Sequence, residues 1–269
     1  MNLLMLGIFL TGAVFFLFST FRGIGIEMLL NTNALLIIFG GTIVALFVGF
    51  PPARILDAIK DIGSAFRDKR DRNDIVKEIS DIARIYRNSD IRKIEGKMNK
   101  MDDEFMRFGL NLLINHHSGE DIRNIMEREM YVKIMRYNLS QNILKTVARL
   151  APSLGLAGTV ISLVNMFRSF GSIDSIAPMM SVALMSTFYG VIISNVFALP
   201  LSAKLKEKAI ISEMLMTITI EGMLAVYAME HPLRIEDRLS GRGQYAGANQ
   251  DMRRDGAPMQ GEIAYRSGV

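Results

Sequence analysis

Four stretches of this chain are long, apolar and free of charged side chains, and no other sequence feature limits its fold as tightly. They are residues 3–21, 34–50, 150–167 and 176–201. A helix of about twenty residues crosses a bilayer, and a membrane-embedded helix satisfies its own backbone groups. Each stretch is therefore read as a membrane span. The first lacks the basic n-region and Ala-x-Ala site of a secretion signal, and the second is stopped by Pro51 and Pro52. The third is only moderately hydrophobic. The last two are rich in small residues, which favours packing on protein over packing on lipid. Half of all residues are hydrophobic, more than a soluble domain of this size ordinarily needs. The expected fold class is an all-α integral membrane protein with four transmembrane helices.

Charge orients the bundle. The segments joining spans one to two and three to four are short, with one cation each, Arg22 and Arg168. Residues 51–147 and the C-terminal segment are highly charged, with Arg54, Lys60, Lys145, Arg149, Lys204, Lys206 and Lys208 close to the membrane ends. Positive charge stays inside, so both termini and the middle segment are expected in the cytoplasm. The expected divisions are 1–50 for spans one and two, and 51–147 for a helical cytoplasmic domain. Spans three and four follow at 148–203, then a cytoplasmic helix at 204–239 and a disordered tail at 240–269, too polar to bury a core.

Several function classes fall away. There is no cysteine, so no disulfide framework, thiolate metal site or cysteine nucleophile exists. The three histidines, His116, His117 and His231, lack zinc-ligand spacing. No nucleophile–base pair or phosphate-cradling glycine loop suggests an enzyme. No Lys/Arg run with interleaved aromatics suggests nucleic-acid binding.

The middle segment reads as helices. Ile75, Ile79, Ile82 and Ile85, then Phe105, Phe108, Leu110, Leu112 and Leu113, recur at helical spacing. Ser118-Gly-Glu-Asp121 resembles a capping box opening a helix through Ile122, Ile125, Met126, Met130 and Ile134. Residues 205–229 continue span four as an amphipathic helix expected to pack on the middle segment.

An ion-translocating span usually carries a costly charged group at mid-membrane, and these spans carry none. An ion path built here has only hydroxyls, amides and carbonyls, so a carboxylate would come from another subunit. The alternative is that nothing is transported. Ala151, Gly155, Gly158, Thr159 and Ser162 lie at steps of three and four along span three. Ala183, Thr187, Gly190, Ser194 and Ala198 do the same along span four. Such faces suit close approach of a partner helix or, equally, packing of the two spans on each other. The hydroxyls of Thr159 and Thr187 can also ligand a partly dehydrated cation, since hard cations prefer oxygen. Pro152 and Pro200 near the ends of the spans each remove a backbone hydrogen bond, producing either a static kink or a hinge.

These residues resemble the flagellar motor stator A-subunit family (MotA/PomA), within the proton-channel superfamily that includes ExbB and TolQ. Ala151-Pro-Ser-Leu-Gly-Leu-Ala-Gly-Thr-Val160 resembles that family's third span. Thr187-Phe-Tyr-Gly190 with Ser194-Asn195, Pro200 and Lys204-Leu205 resembles its fourth, and Gly40-Gly41-Thr42 its second. The resemblance runs from Leu3 to about Leu239. It implies five A subunits around two B subunits, each B subunit supplying one span with an ion-binding aspartate and a peptidoglycan-binding domain. It also implies an inner-membrane location, no cofactor beyond the transported Na+ or H+, and a cytoplasmic domain acting on the rotor protein FliG. The family's rotor-facing arginine and glutamate lie eight residues apart, as Arg87 and Glu95 do here, with Arg84 and Arg92 as neighbouring alternatives. His231-Pro-Leu-Arg-Ile-Glu236 resembles the end of the family's cytoplasmic helix. Sodium-using members tend to carry threonine where this chain has Thr159, so the resemblance favours sodium over protons. The rival reading is an ExbB/TolQ-like energy transducer of another membrane system, against which four spans and the long middle segment count.

Overall fold

The computed structural model describes residues 31–66, 71–88, 91–98, 101–168 and 173–240, together with six separate positions between 7 and 19. Most of the expected first span, most of the segment joining it to the second, and nearly all of the expected tail lie outside the described residues. Every regular element among the described residues is helical. Among the described residues three helices are long and apolar enough to cross a membrane: Thr32–Gly49, Gly119–Arg168 and Ile176–Tyr227.

The helices are α1 (Thr32–Gly49), α2 (Pro52–Ala65), α3 (Arg72–Arg87), α4 (Ile91–Met98), α5 (Glu104–Ile114), α6 (Gly119–Arg168), α7 (Ile173–Ile192), α8 (Leu199–Tyr227) and α9 (Pro232–Leu239). Two π-helical turns interrupt them, Leu36–Gly40 within α1 and Ile193–Ala198 between α7 and α8. Such turns are rare and concentrate at functional sites. Contacts divide the chain into two units, Met1–Lys69 with Arg128–Met214, and Arg70–Glu127 with Leu215–Val269.

In the first unit, Asn31 caps α1: its side chain accepts from the Ala34 N–H at 3.1 Å, and its own N–H donates to the Tyr189 hydroxyl at 3.2 Å. Pro52 opens α2 at a position where its missing N–H costs nothing. The buried face of α2 is Ala58, Asp61 and Ala65, and Ala65 packs with Leu144 and Leu205. Asp61, only 3% exposed, accepts from the Arg136 guanidinium at 2.8 and 3.3 Å and from the Ser140 hydroxyl at 2.7 Å. A buried carboxylate is tolerable when its oxygens are occupied in this way. Burial alone would lower the Arg136 pKa, but the hydrogen bond and charge of Asp61, with the charge of Asp57, outweigh it and raise it. Beside it, burial pushes the Tyr137 phenol up, and the negative charge of Asp61 pushes it further.

In the second unit, Ile75, Ile79 and Ile82 of α3 are buried together with Phe105, Leu110 and Leu113 of α5, Ile122 and Met126 of α6, Met223 of α8 and Ile235 of α9. The helical periodicity read from the sequence selects this face. Gly109 lies against Met126 and Met223, and Gly222 against Ile79. The serine half of the expected box forms: the Asp121 N–H donates to Ser118 Oγ at 3.1 Å, while the Asp121 carboxylate accepts from that hydroxyl at 2.6 Å and not, as in a full box, from the Ser118 backbone. The helix expected over 204–239 is divided. Met229 adopts a left-handed φ of 55°, and the Glu230 N–H reaches back to Ala225 O at 3.1 Å, the bonding of a helix-terminating cap. The next helix starts at Pro232, capped by the His231 ring. His116 ends α5 by the same device, with φ 57° and the His117 N–H bonded to Leu112 O. Two of the three histidines thus act on helix ends.

Asp61→Ala removes the acceptor shared by Arg136 and Ser140, and is expected to destabilise the protein by about 2 kcal/mol in thermal unfolding at neutral pH. Because the Tyr137 pKa is raised in the fold, its contribution is complete below about pH 10 and is lost as pH rises through the raised value. In Asp61→Ala an alkaline titration followed by tyrosinate absorbance is expected to ionise Tyr137 at lower pH than in the parent chain.

Candidate functional site between the small-residue helices

The small residues of α6 and α7 bring their backbones together. A Cβ added at Gly155 would stand 2.7 Å from Ser186 O and 3.1 Å from Thr187 Cα. At Gly158 it would meet the Ser186 hydroxyl at 2.7 Å and Ile37 at 3.4 Å, and at Gly190 it would lie 2.5 Å from Ala151 O. Ala151, Gly155, Gly158, Ser162, Ala183, Gly190 and Ser194 are all buried. The sequence left two readings of this stripe open, and the contacts made by Gly155, Gly158 and Gly190 lie within the chain.

Close approach places the two threonines side by side. Thr159 Oγ1 and Thr187 Oγ1 are 2.6 Å apart. Thr159 also reaches the carbonyls of Ala183 at 3.0 Å and Gly155 at 3.2 Å. A hydroxyl has one proton and two lone pairs. With the Thr159 proton on a carbonyl, Thr187 donates to Thr159 and keeps its own lone pairs outward. Thr187 is exposed and Thr159 half-buried, so a cluster of oxygens opens on one face of the pair. Neither apolar stretch, 150–167 or 176–201, carries a charged side chain, so handling a proton or balancing a cation here requires a charged group from elsewhere.

Other polar groups surround this pair. Ser186 is fully buried and donates to Val182 O at 2.8 Å, filling the space left by Gly158. Further along, Asn33, Ser162, Asn165 and Arg168 line a cavity of about 470 Å3 with Ile37 and Met179. Thr42, 8% exposed, has a hydroxyl with no partner. The Ile38 carbonyl four residues earlier, which such a threonine ordinarily uses, already accepts from the Gly41 N–H at the end of the π-turn. Pro152 lies inside α6, and Pro200 follows the second π-turn. In the other unit, Arg87 is exposed in the last turn of α3 and Glu95 is exposed on α4; Arg84 and Arg92 are exposed as well.

Sequence reasoning missed Ser186, the Tyr189–Asn31 tie and the Asp61 cluster. Asp61 left a signal: it falls at the step of three and four between Ala58 and Ala65 on the apolar face of an amphipathic helix, where an acid needs a partner. Arg136 carried no comparable mark, because an arginine on a long charged helix reads as a solvated side chain.

The described residues are those of a helical membrane protein whose central feature is an uncharged, hydroxyl-bearing contact between two membrane-length helices. Residues 97–217 match the MotA/TolQ/ExbB proton channel family. Motility protein A of Treponema phagedenis is 31% identical over 201 residues, covering 74% of this chain and 78% of that protein. Chemotaxis protein PomA of Vibrio alginolyticus is 26% identical over 229 residues, covering 85% and 90%. The flagellar MotAB stator complex from Bacillus subtilis superposes with a TM-score of 0.77 at 26% identity, covering 92% of this chain and 98% of that one. The chain belongs to the motility protein A family of flagellar stator subunits, within the MotA/TolQ/ExbB proton channel family.

Gly155→Ala would place its methyl against backbone atoms that cannot rotate away, so the helices must separate. The variant is expected to lose about 2 kcal/mol, the usual cost of overpacking, in thermal unfolding in detergent. Gly40→Ala, where the added methyl meets nothing within 4 Å, is expected to leave the midpoint unchanged.

Proposed function

We propose that the chain is the A subunit of a flagellar motor stator, and that it joins a B subunit to form an ion channel driving rotation. The observation that carries this is the Thr159–Thr187 pair, 2.6 Å apart within the apolar stretches 150–167 and 176–201, which hold no charged side chain. Such a site is complete only when a partner span adds a carboxylate. The relatives are named motility and chemotaxis proteins, and the matching structure is a stator complex containing a B subunit. Both support this reading over an energy transducer of another membrane system.

In this proposal four spans cross the bacterial inner membrane, with both termini and residues 51–147 in the cytoplasm. Five A subunits surround two B subunits, and the B span bears the aspartate. Pro152 and Pro200 act as hinges, while Arg87 and Glu95 face the rotor protein FliG. Sodium is the transported ion. Its dehydration is offset by oxygen ligands, and the Thr159 and Thr187 hydroxyls with the Ala183 and Gly155 carbonyls offer such oxygens within hydrogen-bonding reach of one another.

The test is swimming speed against external sodium at fixed pH, in cells whose only stator A subunit is this chain. Thr159→Ala is expected to raise the sodium concentration giving half-maximal speed by about tenfold, roughly the effect of one lost ligand. Motility indifferent to sodium removal would overturn the ion assignment.

A further inference from the structure

The proline at position 152 opens a specific gap in the hydrogen bonding of α6. Lacking an N–H, it cannot bond the carbonyl four residues earlier, that of Ala148. Ala148 is 7% exposed, so bulk water does not compensate, and an unsatisfied buried carbonyl is costly. The structure closes the gap from outside α6. Ser194 Oγ donates to Ala148 O at 2.7 Å, and Ser194 is 4% exposed.

A serine in a membrane helix ordinarily bonds a carbonyl of its own helix, one turn back. Its neighbour Asn195 does this, donating to Val191 O at 3.1 Å, and Ser186 does it with Val182 O. Ser194 instead crosses to α6. It stands in the π-turn Ile193–Ala198, where the Leu199 N–H reaches back five residues to the Ser194 carbonyl, so the backbone around it departs from the α-helical pattern. One turn earlier, Gly190 lies directly on the Ala151 carbonyl and Pro152 Cα. The proline turn is thus held at two levels by the neighbouring helix.

We infer that Ser194 is a positioning residue for the Pro152 hinge: it closes the carbonyl that the proline opens and ties the hinge of α6 to the π-turn after α7. The two helices then bend as one body at this level, which narrows the orientations of the segment carrying Thr159. The geometry stands on the chain alone, whereas its mechanical consequence rests on the stator reading.

The inference predicts that Ser194 matters only while residue 152 is proline, because Pro152→Ala would restore the N–H that bonds Ala148 O. The chain has no cysteine, so spin labels placed at Met135 and Ile161 report cleanly across Pro152, about 39 Å apart along an ideal helix. Ser194→Ala is expected to broaden the distance distribution about twofold and lower the thermal midpoint by roughly 3 °C. Ser194→Thr, which keeps the donor, is expected to preserve both. In a Pro152→Ala background, adding Ser194→Ala is expected to change neither. An unaltered distribution in Ser194→Ala, or equal broadening in both backgrounds, overturns the inference. Swimming torque that stays at the parent level despite broadening overturns its mechanical part. A parent chain that fails to restore motility counts against the stator reading instead, and leaves the spin-label result to decide the clasp.

Discussion

The backbones of α6 and α7 come together where Gly155 faces the Ser186 carbonyl and Gly190 faces the Ala151 carbonyl. Lipid offers helices no hydrophobic reason to associate, so close packing and hydrogen bonds between them supply the affinity. Absence of side chains at these glycines is what permits both. It lets Ser186 fill the space over Gly158 and sets Thr159 against Thr187. It also brings Ser194 within reach of the carbonyl freed by Pro152. A single added methyl at either contact would meet backbone, and each of these arrangements depends on the same close spacing.

From this follows a division of labour inside the chain. Charge is excluded from the close contact, where it would be expensive, and appears beyond the apolar segments in groups that satisfy one another, such as Asp61 with Arg136 and Ser140. Among the remaining hydroxyls, those of Ser186 and Ser194 serve neighbouring carbonyls, while Thr187 is exposed. The exposed group is the one available to a partner. In the proposed stator this uncharged contact is half of a site, and one structure that the chain resembles is a two-component stator complex.

Much of this was legible in the sequence. The apolar lengths of α1, α6 and α7 announced membrane helices, and the steps of three and four along Ala151–Ser162 and Ala183–Ala198 marked the faces that pack. The Ser118 cap and the apolar periodicity of α3 and α5 were equally plain, because local capping and periodicity are written in adjacent residues. Contacts between distant residues were not legible. Nothing near Ser194 says that its hydroxyl crosses to Ala148 rather than turning back on its own helix, since that choice depends on a proline 42 positions away and on a π-turn. Nor does sequence periodicity reveal that Met229, a residue with no preference for left-handed backbone, ends α8.

The central claim is that the Thr159–Thr187 face meets a carboxylate-bearing span of a partner subunit. Because the chain lacks cysteine, one cysteine at Thr187 can be paired with one at the aspartate position of a B-subunit span and oxidised in membranes. The account predicts a disulfide-linked A–B product from position 187, and none from Val48, which is 85% exposed on α1. Cross-linking from Val48 with none from Thr187 would contradict it.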